Sequence, residues 1–119
     1  MIRMTPQAPV YLALGVTDLR NNIDGLSLMV EKTFRLDPFS NSMFVFCNRK
    51  RDKIKILLWD KNGFWLYYRR LETGTFQWPG REDYKRVLPV TQQQLSWILD
   101  GLRLNEPSAH KEVLMRKMA

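Results

Sequence analysis

Residues 43–70 read MFVFCNRKRDKIKILLWDKNGFWLYYRR, and the fold turns on how this stretch divides. Met43 to Cys47 is a short apolar run and reads as a strand. The polar turn Asn48 to Asp52 ends it. Lys53 to Trp59 and Phe64 to Leu71, rich in β-branched, aliphatic and aromatic side chains, read as two further strands. Between them, Asp60-Lys61-Asn62-Gly63 predicts a hairpin with a three-residue loop, Gly63 supplying the positive φ of a bulge.

Cations crowd both ends of this unit. Arg49, Lys50, Arg51, Lys53 and Lys55 are offset locally only by Asp52, and Arg69 and Arg70 close the far strand. The segment Arg49 to Lys53 is polar throughout, so it is no part of a core, and it suits a polyanion. With Asp60 opposite Phe64, the two faces of the hairpin follow from the pleat. One face carries Ile54, Ile56 and Leu58 with Phe64, Leu66 and Tyr68, an ordinary core surface. The other carries Lys53, Lys55, Leu57 and Trp59 with Trp65, Tyr67 and Arg69. Three readings of that second face stay open. It is a nucleic-acid platform, with cations on phosphates and rings on bases. It is half of a protein interface, where Trp, Tyr and Arg are enriched. Or it is a second core layer under a helix, with the Lys and Arg stems snorkelling to water.

Working outward, residues 1–9 read as a loose leader and Val10 to Gly15 as a short buried strand. From Thr17 the period changes. Leu19, Ile23, Leu26 and Val30 fall on one helical stripe, with Thr17 or Asp18 as cap and Asp24 within reach of Arg20. Gly25 in mid-helix points to another backbone packed closely there. Downstream, Thr75 to Trp78 predicts a short strand stopped by Pro79-Gly80. Gln92 to Leu102 predicts a helix with Leu95, Ile98, Leu99 and Leu102 on one face and Thr91 as its cap. Residues 105–119 form a basic, amphipathic tail, a short helix or disordered. The expected architecture is α+β: an antiparallel sheet of about four to five strands with two helices packed on one of its faces. It forms a single domain over residues 10–104.

Composition narrows the function. The chain has 119 residues, 45% of them hydrophobic, enough for one domain with its own core. A formal charge of +7 and a pI near 9.9 call for an anionic partner, nucleic acid first and an anionic membrane surface or acidic protein next. Cys47 and His110 are each the single residue of their type, so neither a disulfide framework, a His-based triad nor a Cys/His zinc site can be assembled. Cations beside Cys47 favour a reactive thiolate, but a core thiol at a strand end is the plainer reading. Asp18, Asp24, Asp52, Asp60 and Asp83 are the carboxylates on which Mg2+-dependent phosphoryl transfer would rest. The first four have simpler explanations as caps, turns and ion pairs. No phosphate-binding glycine loop is present. The expectation is a protein without cofactor, metal or catalytic residue. With no apolar run of roughly 20 residues and no signal peptide, it is also expected to be soluble and cytoplasmic.

Specific residues now carry a resemblance. Gly15-x-Thr17-Asp18-x-Arg20 and Ile23-Asp24-Gly25-Leu26 open the pattern. Phe44-Val45-Phe46, Arg49-Lys50-Arg51-Asp52-Lys53-Ile54-Lys55, Trp59-Asp60 with Gly63, Tyr68-Arg69-Arg70-Leu71-Glu72, and Gly74-x-Phe76-x-Trp78-Pro79 continue it. Gln94-Leu95, Leu99 and Gly101-Leu102 close it. In this order they resemble the TnpB accessory proteins, the second-reading-frame products of the IS66 class of bacterial insertion sequences. The likeness spans roughly residues 10–102. It implies a small protein encoded beside a separate, larger transposase that carries the catalytic carboxylates, and it transfers no catalytic residue to this chain. Asn21-Asn22, Thr75 and Gln77 depart from the family's more basic usage.

The expectation is therefore a non-catalytic accessory factor for DNA transposition that binds DNA and contacts the transposase. Arg49, Lys50, Arg51, Lys53, Lys55, Arg69 and Arg70 are the candidate phosphate contacts, and Trp59, Trp65 and Tyr67 the stacking or partner contacts. The competing class is a protein-interaction module for the transposase, with no direct DNA binding.

Overall fold

The computed structural model describes residues 8–80 and 85–104, with the backbone of 113–114 and 116–117. Strands β1 (Val10–Ala13), β2 (Met43–Cys47), β3 (Lys53–Asp60), β4 (Gly63–Arg70) and β5 (Val87–Val90) form one sheet in the order β4-β3-β2-β1-β5. Helix α1 (Ile23–Lys32) links β1 to β2, and α2 (Gln92–Leu99) follows β5. The fold is α+β, as the sequence predicts, but the sheet is mixed rather than antiparallel. β1 and β2 run parallel, with Val10 beside Met43, while the other neighbouring pairs are antiparallel. The connection explains this. A helix-containing crossover returns the chain in the same direction, which a tight hairpin cannot do.

The two helices cover opposite faces of the sheet, not a shared one. On the first face, Leu26 and Val30 of α1 pack with Ala13, Phe44, Phe46 and Leu57. On the second, Leu95 and Ile98 of α2 pack with Leu12, Val45, Ile54 and Ile56. All five residues of β2 are buried because they alternate between these two layers, so the strand reads as an unbroken apolar run.

The chain crosses the α2 face between β4 and β5. Thr75 to Trp78 belongs to this irregular crossing and not to a strand. Phe76 N donates to the Arg51 carbonyl at 2.7 Å, and Trp78 Nε1 donates to the Ala13 carbonyl at 3.1 Å. Both rings are buried in the second core layer. Gly80 (φ 92) then passes so close to β1's end that a Cβ would lie 3.1 Å from the Gly15 nitrogen. β5, absent from the sequence expectation, closes the far edge. Its Pro89 stands opposite Tyr11 on the outermost strand, where a residue lacking an amide is tolerated.

Local details differ too. β1 stops at Ala13, short of Gly15. α1 starts after Asn22, which makes no side-chain cap bond, so Thr17 and Asp18 lie ahead of the helix. At Gly25 a side chain would run into the Asn21 amide; the close neighbour is that side chain and not another backbone. α2 has the expected cap. Thr91 Oγ1 accepts from Gln94 N at 3.0 Å, and Gln94 Oε1 accepts from Thr91 N at 2.9 Å. The helix ends before Leu102, in a Schellman turn: Gly101 N donates to Ile98 O and Leu102 N to Trp97 O, with Gly101 at φ 84. Ala8 and Pro9 are already tied down, through Gln92 Nε2 to Ala8 O at 3.2 Å and Met43 N to Pro9 O at 2.9 Å. Of the tail, Val113–Leu114 and Arg116–Lys117 are short extended segments paired with each other. The expectations for 1–7 and for the rest of 105–119 lie outside the described residues.

Candidate nucleic-acid interface

The β3–β4 register decides which side chains meet. Asp60 stands opposite Gly63, not Phe64, so the loop is the two residues Lys61 and Asn62. The positive φ is at Lys61 (φ 59) rather than Gly63. This one-residue change turns every β4 side chain to the other face. Lys53, Lys55, Leu57 and Trp59 share the α1 face with Phe64, Leu66, Tyr68 and Arg70. Trp65, Tyr67 and Arg69 join Ile54, Ile56 and Leu58 on the α2 face.

The candidate residues therefore separate into distinct places. Trp59 packs edge-on to Phe39 and Phe64, at centroid distances of 4.9 and 5.0 Å. Trp65 stacks on Tyr67 at 6.0 Å on the opposite face, and its Nε1 donates to Asp60 Oδ2 at 3.3 Å. Arg69 lies beyond Tyr67 and lines a shallow hollow with Ser96, Leu99 and Asp100 of the α2 end. Arg70, on the α1 face, is held by Glu72 at 2.9 Å.

The basic turn is a built structure. Asn48 Oδ1 accepts from both Asp52 N (3.1 Å) and Lys53 N (3.0 Å), while its Nδ2 donates to Asp52 Oδ1 at 2.8 Å. That last bond, first among the causes, holds the Asp52 carboxyl below its usual range. Arg51 takes φ 60 to close the turn, and Arg49, Lys50 and Arg51 project as an exposed rim. Lys53 stays beside Asp52 at 3.4 Å.

Facing this rim is the loop before α1. Gly15 (φ 83) turns the chain off β1, and buried Thr17 anchors it through its amide to the Cys47 carbonyl at 2.9 Å. Asp18 and Arg20, two residues apart, clasp each other at 2.6 Å. Mainly through its side-chain bond, Arg20 draws the Asp18 carboxyl down to about 2 from an ordinary 3.8. Asp24 is not Arg20's partner.

Lys55 joins loop to sheet. Its ammonium donates to the carbonyls of Leu19 (2.7 Å) and Asn21 (3.0 Å) and to Asn22 Oδ1 (2.7 Å). Those three bonds use all its donors. It supplies positive charge but no hydrogen bond to a ligand.

Loop and basic turn thus form the walls of an open groove of about 900 Å³. Leu66 and Tyr68 contribute to it from β4, and Arg20, Arg49, Lys50, Lys53 and Lys55 supply its cations. Sequence reading puts Tyr68 on the core face and leaves Arg20 outside the site. In the structure Tyr68 is 53% exposed in the groove, and Arg20 stands on its wall. The available signal for the wall was the Thr17-Asp18-x-Arg20 pattern itself.

Other chemistry finds little support. Cys47 is fully buried, and desolvation pushes its thiol up to about 12 despite the opposing charge of Arg51. Among the described residues no three His, Cys, Asp or Glu side chains gather as a metal site. No described helix is long and apolar enough to cross a membrane.

A sequence model described as "IS66 Orf2 like protein" matches residues 8–109. The chain belongs to this family. As an IS66 Orf2-like protein it is a transposition-associated accessory protein. It is 33% identical over 98 residues to the uncharacterized protein y4hO of Sinorhizobium fredii, covering 82% of this chain and 84% of that one. To y4jC of the same organism it is 28% identical over 93 residues, 78% of each chain. No solved structure matches.

Two outcomes are expected for this IS66 Orf2-like protein. Lys55→Met removes the bonds that hold the groove wall. It should lower unfolding stability by roughly 1–2 kcal/mol in urea, the charge-assisted range discounted for partial exposure. An unchanged midpoint would contradict the assigned role. For Asp18, a carboxyl-detected NMR titration should give a midpoint near 2, returning towards 3.8 in Arg20→Ala. Because folding lowers this pKa, the clasp stabilises the loop above pH 3.8, and that contribution is lost as pH falls towards 2.

Proposed function

We propose that this protein is a non-catalytic accessory factor for transposition that binds DNA through the groove between the basic turn and the loop preceding α1. The observation that carries the reading is the convergence, around one concavity, of Arg49, Lys50, Lys53 and Lys55 with an exposed aromatic ring. Cations along a groove neutralise phosphates, and counterion release makes such binding favourable and salt-sensitive. Arg51, on the rim, extends the same field. Lys55 acts through its charge and by holding the wall, and Arg70 adds to the field from the end of β4. A DNA partner implies the cytoplasm of a bacterial host as the place of action.

A second surface supports the proposed contact with the transposase. Trp65, Tyr67 and Arg69 line the α2 face of β4, one of the two edge strands of the sheet, and Trp65 is 50% exposed. These are the residue types that dominate protein interfaces. Their place across the sheet from the groove lets one domain hold DNA and a protein together. A reading in which this face alone functions, with the basic turn incidental, predicts transposase capture and no DNA affinity.

Fluorescence anisotropy against short DNA, across a salt titration, tests the proposal. The wild-type protein should bind with an affinity that falls steeply as salt rises. The combined Arg49→Ala, Lys50→Ala and Lys53→Ala variant should bind all sequences more weakly. Its log–log salt slope should flatten by about 0.7–0.9 for each phosphate left without its cation. Equal affinity and slope in a folded variant would sink the assignment.

A further inference from the structure

We infer that the groove takes single-stranded rather than duplex DNA, with Tyr68 as the ring on which an unpaired base stacks. The inference rests on the DNA reading above and adds the form of DNA that fits. Three observations carry it. The first is shape. The cations line a concavity walled by residues 16–20 and by the turn at 48–50. A duplex presents its phosphates on a convex surface and its bases stacked inside, and its major groove, about 12 Å wide, is read by elements that protrude. A lone strand can enter a concavity with its bases turned either way.

The second observation is the ring. Tyr68 faces Lys55 across the β3–β4 ladder, and Lys55 Nζ lies over the ring at 5.9 Å from its centroid. With 53% of the residue open, the ring has a further surface to offer a base. Against a duplex that ring would meet only sugar and phosphate. Stacking on an aromatic floor between cationic walls is how sequence-tolerant single-strand binders work. The third is rigidity. Lys55 is already tied to Leu19, Asn21 and Asn22, so the wall exists before any strand arrives and little ordering is lost on binding. Because β4 is the sheet edge, a strand can leave the groove past Tyr68 without meeting another element of the sheet.

The experiment compares an oligothymidylate with a duplex of equal length by anisotropy at one moderate salt concentration, using wild type, Tyr68→Ala and Tyr68→Phe. Wild type should prefer the single strand. Tyr68→Ala should lose about tenfold for the single strand, within the usual range for a stacked base, and so narrow the preference over the duplex. Tyr68→Phe, which keeps the ring, should retain the preference and also controls for folding. Equal binding of both DNA forms, or an unaltered single-strand affinity in folded Tyr68→Ala, overturns the inference while the DNA-binding reading stands. Absence of binding to either form overturns both.

Discussion

The ammonium of Lys55, tucked beneath the loop that precedes α1, is the constraint on which the candidate site depends. The Leu19 and Asn21 carbonyls and the Asn22 side chain converge on it within 3.0 Å. With an aliphatic residue in its place these groups would have to find water or move. Helix α1 begins at Ile23, directly after the acceptors. The interaction that ties the chain entering α1 to β3 therefore also fixes the wall of the groove, while Leu26 and Val30 seat the helix itself on the sheet. A charge that sequence pattern offers as a ligand contact is used to build the groove, whose other cations are Arg20, Arg49, Lys50 and Lys53.

Electrostatics across the groove follow the same logic. Acidic residues are present, but each is engaged locally: Asp18 by Arg20 and Asp52 by Asn48 and Lys53. The exposed Asp18–Arg20 pair and the half-buried Asp52–Lys53 pair add little to stability. Their value is positional, since the carboxylates draw the turn and loop into shape while the surrounding cations still outnumber them. The buried thiol of Cys47 sits behind the turn as packing, held protonated by desolvation.

Much of the architecture was legible. β2 has the predicted bounds, β3 and β4 lie within a residue of theirs, and the Thr91 capping box is written plainly as Thr-x-x-Gln. The register was not, because it hangs on the loop conformation. Lys61 adopts the positive φ there, a role that residue type does not advertise, while the neighbouring glycine draws attention to the wrong position. β5 was hidden by Pro89, which weakens any strand reading until an outer edge is known to exist. The parallel pairing was within reach, since a strand, a helix and an apolar strand in succession are the βαβ pattern. The site was half legible. Composition marks the basic turn, but only the true register shows that Tyr68 joins it and that Trp65, Tyr67 and Arg69 belong to another surface.

Function, on this reading, depends above all on the ligand surface lying on the α1 face, between residues 16–22 and 48–55. Amide chemical-shift mapping of the labelled protein, titrated with a short oligothymidylate, tests that placement directly. Perturbations are predicted to concentrate at Thr17 to Asn22, at Asn48 to Lys55 and at Tyr68. Perturbations centred instead on Trp65, Tyr67, Arg69 and the end of α2 would contradict it and move the DNA surface to the opposite side of the sheet.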